Sequence, residues 1–438
     1  MEPSQKAFLR LAVPNILTNL TVPLAGLIDL AILGHLEDIT PLAGVALAGL
    51  IFDYLYWNFG FLRMSTTALT AKALGAKALS ESAAVFGRGL LLASVLGGAI
   101  LLSQIWIGDL GFAVLRGEAE VKAAGEAYYY ARIWGAPATL ANYVVAGWLL
   151  GRQHAGATLL ISVLQNGLNV LLDFWLVYDL KMGAAGAGTA TMISSVAALV
   201  LGLMLVRYFW RNHPPLTLGL LLQKKKIMEM IKFQTDLLIR TFCLITAFAL
   251  FTNISAAFGA VVLAGNTLLL RLLNTAAYFI DGYAFALESL AGQFAGARNE
   301  PAIKRALRLA LLWNGITVGG FLVVFNRSGA LILSFLTHHQ EVIQVGLDYF
   351  SFLSIALILS GFAYIYDGFF IGLARGRLLK WSMLLSTLLG FLPLALVALY
   401  LRRGDLLWWA MVVFMGFRAL TLAPYSLHPL KAGRENVA

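Results

Sequence analysis

Asn166, Asn169 and Asp173 stand at spacings i, i+3 and i+7 in the otherwise apolar run ATLLISVLQNGLNVLLDFW. On a helix the three share one face. A carboxylate and two amides on one stripe can hold and release a proton, or offer several oxygens to a small hard cation. Asp29, in the run PLAGLIDLAILG, adds a second carboxylate. No Lys or Arg of the first half is expected at the depth of either acid, since Arg63 falls toward the inner end of its run. A carboxylate desolvated without a fixed cation favours its neutral form, and two neighbours cannot both ionise cheaply. The expectation is a pair, Asp29 and Asp173, hydrogen-bonded by Asn166 and Asn169, that takes a proton from one side and gives it to the other. Pro14 and Pro23 interrupt the run that leads to Asp29. Each removes a backbone hydrogen bond and can seed a kink, as a moving part or as a static bend.

Other ionisable residues also fall within apolar runs: Asp53, Asp236, Asp281, Glu288, Asp367, Arg63, Arg240, Arg271 and Arg418. Each is expected to face the protein interior with a partner or a task. Asp236 and Arg418, near the ends of their runs, are expected to snorkel instead. Arg271, Asn274, Asp281 and Glu288 recur at spacings of 3, 7 and 7, close to one helix face. With Asp367 they are expected to form a charged second-half network of structural role. Phe52, Tyr54, Tyr56, Trp57 and Phe59 suit flat lipophilic cations by stacking and cation–π contact; the alternative is a belt at the membrane interface.

These residues need elements to position them, and composition names the elements. Of 438 residues, 60% are hydrophobic and 12% charged, with mean hydropathy +0.81. A soluble fold of this length carries far more charge. Twelve apolar runs, from 8–34 to 406–427, are each long enough to cross a bilayer as a helix. They are continuous rather than alternating, which excludes a β-barrel. The chain is therefore expected to be an all-α polytopic membrane protein. Loops on one side hold roughly three times as many Lys and Arg as those on the other, Arg211, Lys431 and Arg434 among them, which places both termini in the cytoplasm. Arg116, Lys122, Arg132, Lys181, Arg327, Arg402 and Arg403 make up the outward set. The net charge of +10 reflects those loops and implies no nucleic-acid partner.

The halves repeat. PLAGVALAG and VLAGNTLLL correspond, and Gly44, Gly75, Tyr128, Tyr143, Gly147 and Gly151 recur as Gly265, Gly296, Tyr349, Tyr364, Gly368 and Gly372 at an offset of about 221 residues. Six spans per half is even, so two six-helix lobes, 1–212 and 231–438, are expected about a pseudo-twofold axis along the membrane normal, joined by a cytoplasmic linker at 213–230. The single cysteine, Cys243, excludes an intrachain disulfide. With no phosphate loop, no metal-ligand histidine spacing and no soluble domain, the expectation is a protein that is not an enzyme and carries no metal or cofactor.

Five stretches, LAVPNILTNLTVPLAGLIDLAILGHL, NGLNVLLDFWLVYDLKMGAAGAGTATMIS, IRTFCLITAF, DGYAFALESLAGQFAGAR and YDGFFIGLARGR, resemble the multidrug and toxic-compound extrusion (MATE) family in its DinF-like branch, over essentially the whole chain. The resemblance implies a V-shaped cavity between the lobes and efflux of organic compounds in exchange for protons or sodium ions. It implies that Asp29 is the first-span aspartate central to coupling, that Asn169 and Asp173 are the fifth-span pair, and that Thr191 is a sixth-span threonine of the same site. Pro14 matches the proline at which the first span bends in some members, and Tyr128 an aromatic residue of the fourth span. The NorM-like branch places a seventh-span glutamate and a tenth-span aspartate for sodium. Here the seventh span has Asp236 and Arg240 and no Glu, and Asp367 is displaced by about one turn from that branch's position.

The expected function is antiport: export of a small organic compound, cationic and lipophilic, against protons, with sodium as the alternative coupling ion. Competing readings are an organic-anion exporter, with Arg63 and Arg271 holding carboxylates, and a lipid-type flippase, whose fourteen-span members do not fit twelve spans. The protein is expected to be a monomer in a bacterial inner membrane, with the bilayer and its substrate as partners.

Overall fold

In hydrocarbon, every backbone N–H and C=O must bond within the chain, and an apolar run does this by becoming a helix. The computed structural model describes residues 3–36, 38–210 and 215–430; Arg211, Lys431, Arg434 and positions 213–214 of the expected linker lie outside them. Among the described residues there is no strand. Twelve helical stretches are long and apolar enough to span: Gln5–Gly34, Thr40–Gly75, Leu79–Leu102, Ala119–Gly151, Ala155–Asp179, Gly183–Phe209, Lys224–Ala257, Ala260–Gly296, Glu300–Leu336, Phe350–Gly372, Gly376–Leu401 and Gly404–Ser426. They are the first to twelfth spans below. The protein is a multi-pass helical membrane protein, as its sequence predicts.

The tenth span is shorter than the expected 342–372. Its first part is a separate helix, Gln340–Asp348, with Val342, Ile343 and Gly346 buried and Gln340, Glu341 and Gln344 exposed. Such a two-faced segment suits an interface rather than hydrocarbon.

The contacts divide the chain into two units, Leu17–Met230 and the residues up to Ile16 together with those from Ile231 on. Both divisions fall inside helices, the first span and the seventh, rather than in loops. Residues 224–230, expected as linker, are already helical. Within the linker, the short helix Leu218–Leu221 is fastened to the third span by Arg88. Arg88 Nη2 donates to the Leu220 carbonyl at 2.6 Å, Nε to the Leu221 carbonyl at 3.2 Å, and Nη1 to Glu81 Oε1 at 3.0 Å.

The repeat is written into the backbone. Lys77 and Arg298, Gln153 and Ala374, and Lys181 and Arg402 all take left-handed φ values between 51° and 65°. Each pair is separated by the same offset of about 221 residues. At Lys77 the flanking bonds, Lys77 N to the Leu74 carbonyl and Ala78 N to the Ala73 carbonyl, close a Schellman cap; the same pattern recurs at Arg298, Gln153 and Ala374.

The packing seams repeat as well. A Cβ on Gly147 would meet the Arg63 carbonyl, and one on Gly151 the Thr67 carbonyl, each at 2.6 Å. In the second unit Gly368 and Gly372 approach the Ala284 and Glu288 carbonyls in the same way. Small residues of this kind let membrane helices touch through their backbones. Gly151→Ala should therefore destabilise by about 1–3 kcal/mol through overpacking. Gly167→Ala, where nothing lies within 4 Å, should stabilise the helix by up to about 1 kcal/mol. Melting temperatures of the two purified variants check the opposite signs.

Candidate functional site

The fifth span is α-helical over Ala155–Asp173 and widens into a π-helical turn over Phe174–Asp179. Asp173 closes the regular part and is 2% exposed; Asn169, one turn earlier, is 7% exposed. π-turns inside helices often mark functional positions. Asn169 Nδ2 donates to Thr191 Oγ1 at 3.4 Å, and Thr191 Oγ1 donates to the Ala187 carbonyl at 3.0 Å, which aims the hydroxyl oxygen at the amide. Asn166 Nδ2 donates to Ser162 Oγ at 3.4 Å, and Ser162 Oγ meets Thr21 Oγ1 of the first span at 2.8 Å. The polar stripe of the fifth span is thus bound to the first and sixth spans.

The first span runs unbroken as a helix through Pro14 and Pro23. It brings Asp29 within hydrogen-bonding reach of Asp173. Apart from each other, the two carboxyl groups find few donors. Asp29 Oδ1 and both Asp173 oxygens are buried and accept no N–H or O–H from the described residues. Two ionised carboxylates cannot be buried face to face in this way. The arrangement is satisfied when a proton lies between them, or a cation against them.

A fixed cation does lie near this pair, contrary to the sequence expectation. Arg132 was placed among outward loop residues; it is partly buried on the fourth span. Its charge reaches both Asp29 and Asp53. Arg132 Nη1 donates to Tyr128 Oη at 2.6 Å, one turn earlier on the same face. Its guanidinium lies 4.3 Å from the Phe52 ring centroid, 5.6 Å from Tyr128 and 5.8 Å from Tyr56. The paired spacings Phe52–Tyr56 and Tyr128–Arg132, both i, i+4, were the signal available in the sequence. Of the aromatic residues singled out there, Phe52, Tyr56 and Tyr128 join this cluster, whereas Tyr54 and Trp57 are exposed on the other face of their helix.

In the second unit, Asp367 Oδ2 accepts from Arg240 and, at 2.5 Å, from Arg418. Arg418 also lies 5.0 Å from the Tyr364 ring and is fully buried, and the charge of Asp281 reaches Tyr364. Arg418 therefore does not snorkel, and neither does Asp236, which is buried and paired with Lys380. Asp367 is built into this arginine cluster rather than into the expected stripe. Arg271 and Asn274 are exposed on the eighth span, while Glu288 is wholly buried. From Arg271 to Glu288 a helix rises about 25 Å, so residues that share a face over that length cannot meet at one point.

The family profile for MatE matches residues 14–175 and 237–396, about three quarters of each half. The chain belongs to the MatE family. DNA damage-inducible protein F of Escherichia coli (strain K12) is 36% identical over 423 residues, covering 96% of this chain and 91% of its own. The probable multidrug resistance protein NorM of Thermotoga maritima is 24% identical over 351 residues, 78% of this chain and 74% of its own. In fold, this MATE transporter matches a MOP superfamily transporter from Pyrococcus furiosus with a TM-score of 0.88 at 21% identity, over 99% of this chain and 97% of the other. A MATE crystal structure in the bent conformation matches with a TM-score of 0.85 at 20% identity, over 98% and 95%.

Proposed function

We propose that this MATE transporter is a secondary antiporter that exports organic compounds, lipophilic cations among them, in exchange for protons. Its setting is the bacterial inner membrane, with both termini in the cytoplasm, and it works as a monomer. The observation that carries the reading is the donor-poor carboxyl pair of Asp29 and Asp173. The charge of Arg132 reaches Asp29 and Asp53, whereas Asp173 has Asp29 as its charged neighbour. The facing pair cannot both be ionised in a dry site without a further cation. A proton from outside and a cationic substrate from inside are therefore alternatives for the same charge. Asn169, one turn before Asp173, bonds Thr191 rather than the carboxyl group, so the hydrogen bonds expected from the asparagines to Asp173 are not made here; this amide–hydroxyl pair is the polar neighbour that can accept or donate as the proton comes and goes. The minority basic residues of the outward side have structural tasks that fit this orientation: Lys122 donates to the Phe112 carbonyl, Arg403 pairs with Asp405, and Lys181 and Arg402 occupy left-handed positions next to helix ends.

Sodium is the competing ion, because Asp29, Asp173, Asn169 and Thr191 could together offer it four oxygen ligands. The test is export of a fluorescent lipophilic cation from proteoliposomes at fixed membrane potential, with the pH and sodium gradients varied separately. Export that follows the pH gradient and ignores sodium is the expected result. Export that follows sodium alone overturns proton coupling.

A further inference from the structure

Phe52, Tyr56 and Tyr128 are buried, at 0%, 7% and 5% exposure, and their rings surround one partly buried cation, Arg132. All three centroids lie within the roughly 6 Å at which a ring's quadrupole attracts a cation. Tyr128 Oη accepts a hydrogen bond from the guanidinium, and Asp53 and Asp29 lie within range of its charge. An aromatic cage backed by carboxylates is what a flat lipophilic cation needs. Here a side chain of the protein already fills it.

We propose that Arg132 is a built-in occupant of the first unit's cation site, and that it sets the charge selectivity of the transporter by competing with cationic substrates for the Phe52–Tyr56–Tyr128 cage. The proposal rests on the reading that the first unit binds substrate. An organic cation can use the rings only by displacing the guanidinium, at the loss of the Tyr128 bond and of three ring contacts. An organic anion of the same shape can instead lie against Arg132 without moving it. The tether makes the competition permanent: an intramolecular ligand is present at an effective concentration of order millimolar or more, so any free cation must outbid it. Arginine suits this role, because guanidinium stacks on aromatic faces and keeps its charge at every physiological pH.

The experiment is equilibrium binding of two probes, tetraphenylphosphonium and tetraphenylborate, to purified protein at fixed pH with no gradient. The probes share shape and differ in the sign of charge. Wild type should bind the borate at least as tightly as the phosphonium. Arg132→Gln should bind the phosphonium about tenfold tighter than wild type and the borate about tenfold weaker, the ratio expected from about 1.4 kcal/mol of ring and charge contact. Arg132→Lys, which keeps the charge, should keep the wild-type order. Should Arg132→Gln fail to fold, Tyr128→Phe removes only the hydrogen bond that holds the guanidinium, and should shift both affinities in the same directions by a smaller factor. Unchanged or weakened phosphonium binding in the variant that folds overturns the proposal. So does an equal gain for both probes, which would mean that Arg132 merely blocks space. Because no gradient is used, the outcome is independent of whether protons drive export.

Discussion

Asp29→Asn reduces export driven by a pH gradient to the level of empty vesicles, while the amount of folded protein stays at that of wild type. Asparagine has nearly the shape of a protonated aspartate and cannot ionise. It keeps a hydrogen bond with Asp173, now with its amide as donor, and so relieves the donor-poor pair rather than disrupting it. What it removes is the alternation between neutral and charged states. Downhill exchange of a labelled cationic substrate across the same vesicles should therefore fall as well, because the charge that the cation takes in place of the proton is gone. The measurement is uptake under a pH gradient beside exchange without one, on protein matched by fluorescence-detected size exclusion. Normal gradient-driven export by a well-folded variant would show that Asp29 does not carry the coupling proton.

Asp367→Asn has the opposite profile, a large loss of stability. Two guanidiniums bond one carboxylate oxygen in the second unit, and Arg418, Arg240 and Asp367 are 0%, 6% and 4% exposed. Removing the carboxylate charge leaves two buried cations facing each other. Breaking a buried ion pair from one side costs about 3–5 kcal/mol, enough to deplete folded protein when total stability is about 5–15 kcal/mol. Replacing the whole triad by apolar residues, Asp367→Leu with Arg240→Met and Arg418→Met, should recover most of that loss, since no unpaired charge remains. Unfolding temperatures of the single and triple variants decide it; a single variant that melts like wild type would mean that the arginines find other partners.

The contrast between these clusters marks what a single sequence can convey. The twelve spans were legible because bilayer thickness fixes their length and composition. The face of Asn166, Asn169 and Asp173 was legible because helical spacing alone puts them together. The repeat was legible as glycine and tyrosine offsets, and the structure adds the backbone turns that the same offset carries. Contacts between spans were harder. Arg240 and Asp367 are 127 residues apart, Arg418 and Asp367 51, and nothing local records that pairing. On the eighth span, spacing gives a shared face but not a shared place: Arg271 and Asn274 are exposed, while Glu288 is buried. Arg132 was counted with the loops although its spacing from Tyr128 pointed inward. A tally of charges by side cannot distinguish a basic residue that addresses water from one that addresses rings.

The six helix ends with left-handed residues have a practical consequence for handling the protein outside its membrane. A side chain at such a position costs about 1–2 kcal/mol relative to an unstrained one, and glycine, the usual occupant of a Schellman cap, avoids most of that. At Lys77, Arg298, Lys181 and Arg402 the positive charge beside the carbonyl end of a helix offsets part of the strain. Ala374, with no charge and no side chain beyond Cβ, has no such compensation. A detergent-tolerant form for crystallisation or cryogenic imaging can therefore begin at this turn, with glycine in place of Ala374, and leave the carboxyl pair of the other unit as it is.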